Sequence, residues 1–242
     1  MRSDLLHAQA AVDWAVAQLP IFEQRIGAWL EGRPYSTFRE FDAERGKDAI
    51  KVKINNPLPL IINAEAGVIV HSIRSSLDLL TVTLAERNGH LAPKDTYFPI
   101  CDNVAAFQDT RSRGGAKKIA RLSEADRLVI ENLKPYRGGN DLLYSLHKMD
   151  VLRKHQSLVK AHADLGGMSL EGVGMNAEFA KSWPPFENQT VLAWISADAA
   201  YYKLDITCEV TLTQTPTLVR RPAADSLREF ASLANEIIRL FS

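Results

Sequence analysis

Several common classes of protein need features that this 242-residue sequence lacks. It has only two cysteines, Cys101 and Cys208, far apart and in no Cys-x-x-Cys pair. That excludes a disulfide scaffold and a thiolate zinc site, and makes a reducing cytoplasm the expected compartment. Basic and acidic residues number 29 each, so the formal net charge is zero. No global field draws the chain toward nucleic acid or an anionic membrane. Long apolar runs are also missing: Pro57 to Val70 is broken by Asn63 and Glu65, which reads as too short and too polar to span a bilayer. The N-terminal stretch carries Arg2, Asp4, His7 and Asp13 where a signal peptide would be apolar. His147, His155 and His162 have no i,i+4 histidine partner or cysteine set. There is no Gly-x-x-x-x-Gly-Lys loop and no Gly-x-Ser-x-Gly elbow. Neither a cofactor nor a metal is expected.

What is present is an ordinary globular pattern, 46% hydrophobic, in a chain long enough to bury roughly 70–75% of its unfolded surface. Helical spacing runs from Leu5 through Val12, Leu19 and Ile26 to Trp29, with Pro20 expected to kink or divide the helix. Residues 37–41 and 49–54 read as a hairpin about a turn at 42–47. A long helix follows, burying Ile62, Ala66, Ile69, Ile73, Leu77, Leu80 and Leu84 and ending near Asn88 and Gly89. Ser123 is placed to cap another helix, and 141–163 is again helical in pattern. After Gly166 the period changes. Met175, Ala177 and Phe179 alternate, 190–195 is β-prone, and Leu204 to Leu212 alternates cleanly with Cys208 inward. A last helix, read as capped by Ser226 with Glu229, buries Leu227, Phe230, Ala234, Ile237 and Phe241. The expectation is a single α+β domain over 1–242: a mainly helical part at 1–163 with an early hairpin, then strands and a terminal helix at 164–242. Its helices would form a core bundle beside a small antiparallel sheet built mainly from the C-terminal third, which the early hairpin could join.

Two polar clusters interrupt these helical stretches. Spacings of three and four put Gly67, His71, Arg74 and Asp78 along one stripe, rotated about 100° from the apolar one. Asp150 and Lys154, followed by His155, form the other. Arg74–Asp78 and Asp150–Lys154 each have the spacing of a plain i,i+4 ion pair. If the two segments pack together, acid, base and imidazole come within reach of one another, as a ligand site or a polar core contact requires. Arg74 could then hold an anionic group, with His71 or Asp78 orienting it or moving a proton. Arg153 and Lys154 disfavour protonation of His155 and leave its imidazole neutral near pH 7.

Four segments in order carry a resemblance: Val70 to Leu80 with Arg74, Leu77 and Asp78, then Phe98-Pro99-Ile100, then Pro135-Tyr136, then Met149 to His155 with Asp150, Lys154 and His155. Over about residues 60 to 160 the chain resembles an uncharacterised family of bacterial and phage proteins, and distantly the HEPN nucleases, helical RNases that work without metal. The resemblance implies Arg74 on a phosphate with Lys154 assisting, His71 or His155 as proton-transfer groups, and a second copy as partner. It departs where the nuclease pattern needs a histidine after Arg74, because that position is Leu79. Two expectations follow: an RNA- or phosphate-binding HEPN-like protein with its catalysis in question, or a non-enzymatic interaction protein in which the polar residues are structural. Arg111, Arg113, Lys117, Lys118 and Arg121 are the one basic patch suited to a polyanion. Trp183 to Phe186 reads as a hairpin connection or an exposed recognition loop.

Overall fold

A computed structural model describes residues 2–91, 95–111, 113–155, 157–173, 175–183, 185–186, 189–199, 201–212 and 221–242, with the side chain of His155 outside that set. After a 3-10 turn at Ser3–Leu5, α1 spans Leu6–Glu31 without a break. Pro20 lies inside it on the exposed side, so the hydrogen bond it removes from the helix frees a carbonyl to solvent, and the expected division does not occur. The hairpin is longer than its alternation suggested. β1 (Tyr35–Asp42) pairs antiparallel with β2 (Lys47–Ile54), and Gly46 takes φ +60° in the turn.

α2 (Leu60–Arg87) is the central helix, and it buries the apolar stripe named above. It continues well past Val70 and is long and apolar enough, by length and composition, to cross a membrane. More than half of that stretch is buried in the protein, as in a core helix. Short helices α3 (Val104–Gln108), α4 (Gly115–Lys118) and α5 (Glu124–Asn132) follow, with Ser123 Oγ accepting from the Asp126 amide at 3.1 Å as an N-cap.

α6 covers Asp141–His155 and stops eight residues short of the expected end. Beyond it Val159, Ala161 and Ala163 are buried while Lys160 is exposed, a period of two. Residues Ala161–Gly172 are accordingly a strand, β3, which moves the change from helix to sheet ahead of position 163. Among the described residues the further strands are β4 (Ala177–Phe179), β5 (Gln189–Ser196) and β6 (Tyr202–Leu212). They form two antiparallel sheets, β1-β2-β5-β4 and β3-β6, so the early hairpin contributes half of the larger one. α7 (Ala223–Arg239) starts a turn earlier than expected, because the Ser226 amide already bonds the Pro222 carbonyl. Ser226 is therefore a buried interior residue rather than the cap.

The fold is α+β, with antiparallel sheet and a C-terminal helix. One apolar cluster joins α1, α2, α6, α7, β3 and β6, with Phe22, Ile73, Leu80, Leu146 and Phe230 among its most deeply buried members. α1 and α2 run antiparallel: Arg25 pairs with Glu65, and fourteen residues earlier on α1 the Ala11 carbonyl accepts from Ser72. α7 packs on both of them, and α6 packs against a different side of α2.

Candidate functional site at the α2–α6 contact

The polar stripe of α2 faces α6. Near the start of the contact, Gly67 lies under Arg153, where a Cβ would come within 3.0 Å of Arg153 Cδ. A turn further on, His71 Nδ1 is 2.9 Å from Asp150 Oδ1. Next along the helix, Arg74 Nε donates to His147 Nδ1 at 3.4 Å. Ascending α2 positions meet descending α6 positions, so the helices are antiparallel here. The spacing 71, 74, 78 on α2 faces 147, 150, 154 on α6.

At one end of the contact the arginine turns inward and its partner Asp78 is 29% exposed. Arg74 is only 5% exposed. Its Nη1 binds Asp78 Oδ1 at 2.7 Å and its Nη2 donates to the Phe98 carbonyl at 3.0 Å. Asp78 Oδ1 also accepts from the Phe98 amide at 2.9 Å. The ion pair therefore grips both backbone groups of a residue whose side chain is fully buried, as a neighbouring strand would. Just beyond, the Cys101 amide bonds the Pro135 carbonyl and the Arg137 amide bonds the Cys101 carbonyl. The Arg74–Asp78, Phe98–Ile100 and Pro135–Tyr136 segments thus lie side by side. Asp102 fastens the same stretch to α6, pairing with Lys148 at 3.0 Å and accepting from the Tyr144 hydroxyl at 2.9 Å. These two bonds hold the Asp102 carboxyl below the usual range.

At the other end the groups reach the surface. Asp150 is 2% exposed and binds His71 with one oxygen and Lys154 Nζ, at 2.6 Å, with the other. Both partners are half-exposed. Ser75 Oγ lies 3.4 Å from His71 Nε2, which gives a chain of hydroxyl, imidazole, carboxylate and ammonium. No protein-family model, curated protein or solved structure matches the chain.

Of the residues singled out from sequence, His71, Arg74, Asp78, Asp150 and Lys154 stand at this contact. His155 closes α6, and its side chain lies outside the described residues. The imidazole that meets Arg74 is His147, considered in the sequence only as a metal ligand. Burial first, then the Arg74 and Lys118 cations, push its pKa down from 6.5 to about 3. It is neutral at physiological pH and accepts at Nδ1, so its proton sits on Nε2. The signal that could have found it is the repeated three-and-four spacing.

Among the described residues no group of three or more histidines, cysteines and acids stands ready for a metal ion. Cys208 faces inward, and burial raises its thiol to about 12. The basic stretch is partly engaged within the chain, with Arg111 paired to Asp109 and Arg121 donating to Thr96. The recognition-loop reading of 183–186 fails on burial. Phe186 is buried and Trp183 packs on the core, donating to the Leu192 carbonyl.

Proposed function

We propose that this chain is a non-enzymatic interaction protein, of the bacterial or mobile-element origin its resemblance implies, in which the α2–α6 polar residues set helix register. On this reading α1, α2, α6 and α7 form the core bundle, and the Arg74–Asp78 pair anchors the 97–101 segment to it. The observation that carries the proposal is the state of Arg74: nearly buried, with all three guanidinium nitrogens committed to Asp78, Phe98 and His147. A phosphate-binding arginine must present its fork to the ligand. Three of this one's five N–H donors are engaged and the residue is 5% exposed, so turning its fork outward would give up the bond to the buried Phe98 carbonyl, at a cost of about 1–3 kcal/mol.

The test is direct. Binding of a fluorescent single-stranded RNA oligonucleotide is measured by anisotropy, and thermal unfolding is followed in parallel, for the wild type and for Arg74→Ala. No saturable RNA binding, together with a lowered melting temperature in the variant, is expected. Saturable binding that Arg74→Ala abolishes with the melting temperature unchanged would establish the HEPN-like reading instead.

The phosphate reading keeps one observation of its own. His71 and Lys154 are half-exposed on either side of Asp150 and could offer an anion two donors. Phosphate titration followed by the His71 ring resonances tests it, and a shift that saturates and is absent in Lys154→Ala would support it.

A further inference from the structure

The side of α1 and α2 turned away from α7 is covered by no described element and is apolar. Trp14 and Ile21, two turns apart on α1, and Ile61, Val68 and Leu79, along one line of α2, are each 39–50% exposed. Between the helices runs a groove of about 230 Å³, lined by Trp14, Gln18 and Ile21 from α1 and Ile61, Ala64 and Val68 from α2. Its one charged wall, Glu65, is paired with Arg25 at 2.9 Å. Large side chains clustered in this way on two neighbouring helices exceed the scattered apolar exposure of an ordinary surface and mark an interaction face.

We propose that this face is a homodimer interface, closed by a second copy of the chain about a two-fold axis. The proposal names the partner within the interaction reading and rests on it. Three observations select a second copy. The helices are 26 and 28 residues long, so the exposed side of the pair measures on the order of 800 Å², which is what each partner contributes to a standard interface. The Arg25–Glu65 pair holds one charge of each sign, and the same pair on a two-fold-related copy can meet it in opposite order, as an isologous contact requires. The chain carries no net charge, so two copies approach without long-range repulsion. A membrane fits less well: an interfacial helix face carries unpaired lysines or arginines toward anionic headgroups, and the arginine here is already neutralised by Glu65.

The full chain is run on size exclusion with light scattering at roughly 50 µM, above the micromolar upper end of affinities for an interface of this size. The expected mass is twice 26.9 kDa. Val68→Asp and Trp14→Asp should each give the monomer mass with unchanged far-UV circular dichroism, since both positions are exposed. Leu128→Asp, on the exposed side of α5, should remain dimeric. A monomeric wild type, a dimer that survives both face variants, or a monomer that co-sediments with phosphatidylcholine vesicles overturns the proposal. These outcomes concern only the second copy. The interaction reading itself stands or falls with the RNA and Arg74→Ala measurements.

Discussion

The two ends of the α2–α6 contact use similar residues in opposite ways. Arg74 is turned into the protein, where it donates to the Phe98 carbonyl and to a neutral imidazole, and Asp78, 29% exposed, spends its inner oxygen on Arg74 and the Phe98 amide. Asp150 is buried like Arg74, yet its partners His71 and Lys154 reach water. An ion pair whose two members are both spent on buried groups cannot lose one without stranding the others. When the partners are half-exposed, the survivors can rehydrate. The contrast assigns structural weight to the first end and leaves freedom of exchange to the second.

Arg74→Ala tests that contrast most strongly. It removes the donor to Phe98, the counter-ion of Asp78 and the donor to His147 together, so a loss of about 3–5 kcal/mol is expected in urea unfolding. A loss below about 1 kcal/mol, the range of surface pairs, would erase the distinction between the two ends.

Acidification separates them next. His147 titrates near 6.5 when unfolded and near 3 when folded. As pH falls below 6.5 the unfolded chain takes up the proton first, so stability present above that pH is lost progressively toward 3. At pH 5 the loss is on the order of 2 kcal/mol. His147→Gln keeps an acceptor for Arg74 Nε and removes the titration, so the variant should lack this acid-side loss and gain stability relative to the wild type as pH falls from 7 to 4. An unchanged acid-side slope would place His147 in a more hydrated setting. Asp150→Asn follows at about 1–2 kcal/mol, since an amide still bonds His71 while Lys154 turns to solvent.

The sequence made much of this legible where a period or a spacing carries the signal. The buried stripe of α2 and the capping of α5 by Ser123 follow from residues a few positions apart. Arg74–Asp78 is readable as an i,i+4 pair for the same reason. What the pair grips is not readable, because a backbone amide and carbonyl twenty positions away leave no mark in side-chain pattern. Val159, Ala161 and Ala163 suit a helix or a strand, and only pairing with β6 decides for the strand. Ser226 has the chemistry of a cap but lies inside a helix that begins at Ala223. His147 was visible in principle, since 147, 150 and 154 repeat the spacing of 71, 74 and 78. Which of α2 and α6 meet, and in which direction, is a tertiary fact, and without it the repeat has no meaning.

The smallest effect sharpens the comparison most. Lys154 is an i,i+4 partner of Asp150 and half-exposed, so by the rule for surface pairs Lys154→Ala should cost less than about 1 kcal/mol. Asp150, however, is 2% exposed and, among the described residues, would then keep His71 as its side-chain partner. The carboxylate would then rest on its 2.9 Å contact with the imidazole, so the His71 ring resonances should move in Lys154→Ala while the global stability barely changes. A shift of those resonances with little stability loss identifies this end as an exchangeable polar edge. A loss of several kcal/mol with no change at His71 would mean that Lys154, like Arg74, is committed to the interior, and the two ends of the contact would be alike.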